Sequence, residues 1–303
     1  MREKKITAII TTHSRPELFK RALISVLEQT ITINQIIIVL NNVDPETLNI
    51  ANVYKSKNNN IEIIQTDQYL SGAIIRNMAI KNGTGDYIAL LDDDDYWLST
   101  KIEKELLLAE QKNVGVIYTG LRRLTGSTTH SDVLPTLQGE VSEKIFSEIP
   151  TVTSAILFEK SILKQELFDE KLTHWQEYEL LIRLSKVTNF AFVPEILTVI
   201  QDDNKTGKDR MTLQLDKWES AVSYIRTKHA ERLESLPISI SKKFEIQYLK
   251  DRISRKEQQK FGWWKSFSDA IQLVKISKNK NYILLLVPGM TITRFVHIKR
   301  VLK

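Results

Sequence analysis

At 303 residues, with 42 % hydrophobic and 26 % charged residues, the chain has the balance of one large or two modest globular domains, not of a disordered or fibrous protein. It contains no cysteine, which excludes disulfides, thiolate metal sites and cysteine nucleophiles. The net charge of +6 is uneven: residues 241–303 carry 15 Lys/Arg against 4 Asp/Glu, whereas residues 1–240 carry 28 against 33, so the basic end suits an anionic surface such as a membrane leaflet or nucleic acid.

The N-terminal stretch MREKKITAIITTHSRP has too short an apolar run and no small-residue cleavage site to read as a signal peptide. Lys5–Thr12 is a short β-branched apolar run, and Pro16–Gln29 has helical spacing with proline in its first turn. A buried strand over Gln35–Leu40, a helix over Pro45–Tyr54, a strand over Ile61–Ile64 and a helix over Gly72–Lys81 follow. NGTGD (residues 82–86) is a turn, Tyr87–Leu91 a strand and Thr100–Gln111 a helix. Short apolar strands alternating with amphipathic helices predict an α/β fold, a mostly parallel sheet flanked by helices. Ligands bind such sheets beyond the strands' carboxyl ends, where Thr11–Arg15, Asn41–Asp44 and Asp92–Asp95 fall.

Beyond a strand at Val114–Arg122, the Thr/Ser/Gly-rich stretch Leu124–Gly139 reads as a mobile loop. Thr151–Phe158 reads as a strand, Trp175–Lys186 as a helix, and Phe190–Val193 and Glu195–Val199 as two short strands. Gln201–Arg210 is a polar loop, and a boundary near residue 210 divides residues 1–210 from a helical basic region over 211–303. That region contains predicted helices at Thr212–Leu233, Ser241–Lys260 and Trp264–Ile276. Its apolar run Tyr282–Met290 is far shorter than the ~20 residues of a membrane span.

The motif that most needs explaining is YIALLDDDDYW, residues 87–97. Adjacent carboxylates repel, and a carboxylate near a core is costly to desolvate unless paired. If the chain stays extended, Asp92 and Asp94 share one side and Asp93 takes the other. Two carboxylates with open positions for phosphate oxygens and water suit Mg²⁺ or Mn²⁺. The bland alternatives are a solvated acidic turn, or Asp95 capping the next helix. In Thr11-Thr12-His13-Ser14-Arg15 the hydroxyls, the cation and the helix amides could hold a nucleotide, or Thr12 or Ser14 could simply cap the helix. No GxGxxG or Walker motif occurs. Arg76 alone reads as a surface charge. Glu177 and Glu179, two apart near a helix start, do not share a face, so one could enter a cleft while the other faces away.

In their order and spacing, IITTHSRPELFKRALISVLEQT, IIIVLNNVDPET, SGAIIRNMAI, NGTGDYIALLDDDDYW, KIEKEL and WQEYELLIRL together resemble the family 2 glycosyltransferases, of the bacterial surface-polysaccharide type, from about Lys5 to Val199. The resemblance implies a GT-A fold, a nucleotide-sugar donor, Mn²⁺ or Mg²⁺, and inversion at the anomeric carbon. Carried over by residue, Thr11 lies beside the nucleotide, with His13 and Arg15 in the same donor-binding loop. Asn41 falls where the family usually has an Asp that contacts the base. Asp92 and Asp93 match positions near the ribose and sugar, and Asp94 the metal-binding carboxylate. Arg76 matches an arginine near the donor, and Glu177 the catalytic base, which is more often Asp; Glu179 stays as the alternative base. The chain departs from the family at Val39-Leu40-Asn41-Asn42-Val43, where both acidic positions are lost.

The resemblance further implies transfer to a hydroxyl of a glycan or lipid-linked acceptor in surface-polysaccharide or wall-glycan assembly. The expected location is cytoplasmic, with peripheral contact to anionic membrane. The basic tail, with Phe261–Trp264, Lys265, Phe267 and Tyr282–Val287, suits that contact or a homo-oligomer interface. Rival readings are a nucleotidyltransferase and a non-catalytic nucleotide-sugar-binding protein. Nucleic acid is not an expected partner, because the first 240 residues are net acidic and carry no recognised binding module.

Overall fold

A computed structural model of the chain describes residues 3–125, 129–202, 214–259, 264–287 and 291. The chain forms two compact units, one of residues 1–142 and 150–205, the other of residues 143–149 and 206–303.

In the first unit nine strands form one sheet in the order β3-β2-β1-β4-β8-β6-β9-β5, with β7 on β6. The strands are β1 Ile6–Thr12, β2 Gln35–Asn41, β3 Ile61–Thr66, β4 Tyr87–Asp92, β5 Asp95–Trp97, β6 Val116–Thr125, β7 Thr129–Val133, β8 Ile156–Glu159 and β9 Phe190–Asp202. Every residue of β1 and β2 is buried, as their continuous apolar runs require when helices cover both faces of a sheet. The block β3-β2-β1-β4 is parallel. The helices are α1 Pro16–Leu27, α2 Pro45–Lys57, α3 Gly72–Asn82, α4 Lys101–Lys112, α5 Lys160–Leu163 and α6 Gln176–Leu184. Asp44 caps α2 by accepting from the Thr47 amide at 2.7 Å, and Ser71 caps α3. Neither Thr12 nor Ser14 caps α1, whose N-cap position is Arg15, nor does Asp95 cap α4, which starts after Thr100.

Three expectations are corrected. The stretch Leu124–Gly139 is not all loop: its β-branched Thr residues extend β6 to Thr125, and β7 returns along it, with Arg123 opposite Ser131 and Arg122 opposite Asp132. The two short strands after residue 190 are one strand, β9, running into the expected polar loop as far as Asp202; residues 203–210 of that loop lie outside the described residues. A register shift around Gly120 absorbs the interruption at Pro194, and a Cβ on Gly120 would sit 2.8 Å from the Glu195 carbonyl oxygen. Finally, the chain is not extended through the four aspartates; it turns at Asp93-Asp94 between β4 and β5.

The second unit is helical: α7 Leu215–Lys228, α8 Ala230–Ser235, α9 Ile238–Gln258 and α10 Trp264–Ser277. The helix expected over Thr212–Leu233 is broken at His229. Leu249, Ile253, Ala270, Leu273, Tyr282 and Leu285 form its core, and buried Asp269 pairs with Arg252 at 3.1 Å and Lys256 at 2.6 Å. Phe261, Gly262 and Trp263 lie outside the described residues, while Trp264 is 68 % exposed. No described helix is long and apolar enough to cross a membrane.

Candidate active site

The parallel register brings the sequence motifs to one edge. Thr11 pairs with Val39 on one side and Asp92 on the other, and Asn41 pairs with Thr66. The turn then gives the four aspartates different surroundings. Asp92 and Asp94 have side chains 32 % exposed, whereas that of Asp93 is 1 % exposed. Asp93 accepts from the Thr12 hydroxyl at 2.7 Å and the His13 amide at 3.2 Å, and pairs with Arg15 Nη2 at 2.8 Å. Its carboxylate therefore shapes the loop after β1 from inside. Burial, reinforced by neighbouring Asp94, pushes Asp93 up to about 6, against the pull of Arg15 and the two hydrogen bonds. Asp95 lies buried in β5, where burial and the charges of Asp94 and Asp92 hold its carboxyl well above the usual range. The Ser154 hydroxyl and the Gln201 backbone hydrogen-bond it.

Arg15 bridges Asp93 and Asp94, reaching the latter at 2.6 Å. Arg21, on α1, donates to the Asp94 carbonyl oxygen and to Gln201 Oε1, each at 2.6 Å. His13 Nδ1 lies 2.6 Å from the Asn41 carbonyl oxygen, and its ring meets the exposed Tyr69 ring edge-on at 4.9 Å. The carboxamide of Asn41 is engaged at both ends inside the fold. Oδ1 accepts from Thr66 Oγ1 at 3.1 Å and the Leu70 amide at 2.9 Å, and Nδ2 donates to the Leu70 carbonyl at 2.9 Å. Asn41 thereby pins the loop that carries Tyr69 rather than offering its amide outward.

Arg76 joins the two halves of the site. Nη2 donates to Asp92 Oδ1 at 2.5 Å, and Nη1 to Gln176 Oε1 at 2.9 Å. Gln176 is held in turn by its donation to the Leu172 carbonyl at 2.8 Å. A Cβ on Gly72 would lie 2.7 Å from Arg76 Nη1, so glycine at the start of α3 makes room for the guanidinium. Glu177, next to Gln176, is half-buried. Burial raises its carboxyl above the usual range, as does Asp92, while Arg76 and Arg123 act in the opposite direction. Glu179 is fully buried and pairs with Arg183 at 2.9 Å; Arg183 also pairs with Glu166 and donates to the Leu167 carbonyl. Glu179 thus anchors α6 from within, whereas Glu177 stays half-buried. Trp175, just before α6, takes a left-handed conformation at φ 55°, unusual for a bulky side chain.

Among the described residues no group of three or more Asp, Glu, His or Cys side chains is arranged to hold a metal ion. The available donors are the part-exposed carboxylates of Asp92, at the end of β4, and Asp94, in the turn that follows. This oxygen-only pair fits Mg²⁺ or Mn²⁺, which bind one or two carboxylates and fill their shell with phosphate oxygens and water. Ser154, Arg21 and Gln176 carry no short-range sequence signal; each meets a partner 57 to 180 positions away.

The family model described as glycosyl transferase family 2 matches residues 7–165. An uncharacterised glycosyltransferase of Methanocaldococcus jannaschii is 26 % identical over 210 residues, covering 66 % of this chain and 71 % of that protein. The amylovoran biosynthesis glycosyltransferase AmsB of Erwinia amylovora is 31 % identical over 143 residues, covering 44 % and 47 %. The Escherichia coli β-1,3-glucosyltransferase WfaP, which acts on GlcNAc-diphosphoundecaprenol, is 32 % identical over 114 residues, covering 38 % and 45 %. The chain thus spans less than half the length of the latter two. Among solved structures, Staphylococcus aureus TarS in complex with UDP has a TM-score of 0.64 at 15 % identity, covering 98 % of this chain and 87 % of that one. A Pyrobaculum calidifontis mannosyltransferase in complex with GDP-mannose and Mn²⁺ has a TM-score of 0.62 at 11 % identity, covering 98 % and 86 %. The fold is GT-A.

Proposed function

The chain belongs to glycosyl transferase family 2, and we propose that it is an inverting, metal-dependent enzyme moving a sugar from a nucleotide-sugar donor to a hydroxyl of a glycan or lipid-linked acceptor. Surface-polysaccharide or wall-glycan synthesis is the setting its relatives support. The observation that carries the proposal is the Arg76 bridge. It ties the carboxylate at the end of β4 to the helix carrying Glu177, so that donor-side acids and a candidate base share one cleft.

In this reading Glu177 accepts the acceptor hydroxyl's proton as that oxygen bonds to the anomeric carbon, and the bond to the diphosphate breaks with its electron pair leaving on the phosphate oxygen. No covalent enzyme intermediate forms. The raised carboxyl suits the task, because a stronger base removes a sugar proton more readily. Arg15 and Arg76, which pair with Asp94 and Asp92, would meet the charge of the departing diphosphate. Mg²⁺ or Mn²⁺ held by Asp94, with Asp92 beside it, would supply Lewis-acid stabilisation of that same charge. Asp93 acts by shaping the Thr11–Arg15 loop, and Asn41 by holding the loop of Tyr69 and Leu70.

The test is a thermal-shift screen of UDP, GDP, TDP and CDP with and without Mn²⁺, followed by turnover of the matching nucleotide sugars. One nucleotide should raise the melting temperature by several degrees in the presence of Mn²⁺ only, as ligand binding to the native state requires. Stabilisation by none of the four, or equal stabilisation with EDTA, would remove the metal-dependent donor site.

A further inference from the structure

Arg123 stands apart from the other cations of the first unit. It is half-buried, and it has no hydrogen-bond or ion-pair partner among the described residues. Its neighbour in β6 shows the contrast: Arg122, half-buried as well, forms a two-pronged pair with Asp132 at 2.7 and 2.8 Å. Arg15 and Arg76 are likewise matched to Asp93, Asp94 and Asp92. A half-buried guanidinium has lost part of its hydration, and among the described residues it gains no acceptor in return.

The register shows which way Arg123 faces. It lies opposite Ile200 on β9 and Ser131 on β7, and Ile200 lies opposite Asp95 on β5. Laterally paired residues project from the same face of a sheet. Arg123 therefore shares a face with Asp95, whose carboxyl meets Ser154, whereas Arg122 shares the opposite face with Tyr96 and Asp132. Electrostatically, Arg123 acts on Glu177, and the aspartates are matched by Arg15 and Arg76 instead. Ser154 ties that face to the end of β4, because its hydroxyl also accepts from the Asp92 amide at 3.1 Å.

We propose that Arg123 is an anion-binding residue for the acceptor, taking a phosphate or carboxylate that the acceptor carries close to its reacting hydroxyl. This rests on Glu177 being the base of the transfer. An anion held there would fix the acceptor by a charge-assisted, two-pronged hydrogen bond that lysine reproduces only in part.

The experiment uses the full chain with Mn²⁺ and the nucleotide selected by the thermal-shift screen, and measures binding of three probes by calorimetry. These are a short-chain lipid diphosphate of N-acetylglucosamine, an octyl glucuronide, and neutral octyl glucoside. The wild type is expected to bind one charged probe at least ten-fold more tightly than the neutral one, and which charged probe wins identifies phosphate or carboxylate. Arg123→Ala should abolish the preference, and Arg123→Lys should retain part of it. Nucleotide affinity should be the same in all three proteins, and the melting temperature should not fall, since Arg123 has no pairing among the described residues to lose. Absence of a charge preference in the wild type, its persistence in Arg123→Ala, or an equal loss of nucleotide affinity in that variant would each overturn the proposal. Nucleotide binding by the wild type reports on the glycosyltransferase reading and the probe preference reports on Arg123, so the two fail separately.

Discussion

Four identical side chains, Asp92 to Asp95, illustrate how the fold assigns chemistry at the scale of single residues. A two-residue turn places two of them at the cleft and two inside, one bound to the loop after β1 and one to Ser154. The run was legible in the sequence as an acidic cluster at a strand end. The separate fates were not, because they depend on where the turn falls and on partners such as Thr12, about 80 positions away. Asn41 is a second case. Its identity reads as a lost acid, yet the structure surrounds it with an amide donor and a carbonyl acceptor from the same residue, Leu70, which a carboxylate cannot both satisfy. Asn41→Asp is therefore expected to lower stability by about 1–3 kcal/mol, because a buried carboxylate oxygen would then face the Leu70 carbonyl. A denaturant melt checks this; an unchanged midpoint would mean that the pocket tolerates the acid.

At the scale of elements, the parallel half of the sheet was readable from local pattern. Continuous β-branched runs and helical spacing are short-range signals, and β1 to β4 with α1 to α4 follow them within a few residues. The β6–β7 hairpin and the single long β9 were not readable, because a register shift and an interrupting proline break the pattern on which such reading depends. Helix α4 holds a feature that neither pattern nor composition reveals. Lys101 and Glu105 form a fully buried ion pair at 2.7 Å, with the Lys101 ammonium 4.7 Å from the Trp97 ring centre and Glu105 Oε1 lacking a hydrogen-bond partner. Burial pushes Glu105 up to about 7 and Lys101 down. Removing one partner strands the other charge, so Glu105→Leu alone should cost about 3–5 kcal/mol, whereas Lys101→Met with Glu105→Leu should be close to neutral. Equal losses in the single and double variants, read from chemical denaturation, would show that the pair itself supplies net stability.

At the scale of the whole molecule, the chemistry of the first unit is assembled from segments far apart in the chain. Arg76 and Gln176 are 100 positions apart, and the bond between them puts the helix of Glu177 in register with the carboxylates of β4. The second unit has its own core around Leu249 and Leu273 and its own charge centre at Asp269. Glu177 was reachable from the sequence only through the resemblance of WQEYELLIRL. The proposal takes Glu177 over Glu179 because the fold buries Glu179 against Arg183, which the sequence does not reveal. The most direct measurement is the rate of sugar transfer by Glu177→Gln against the wild type across pH, with nucleotide affinity and melting temperature measured on both. Transfer by the wild type should rise with pH through a limb above the ordinary carboxylate range, since burial raises Glu177 and only its ionised form accepts a proton. Glu177→Gln should lose roughly 10²–10⁴-fold in rate and lose that limb, while binding the nucleotide and melting as the wild type does. Wild-type rates in Glu177→Gln, with the same pH limb, would contradict the assignment of Glu177 as the base.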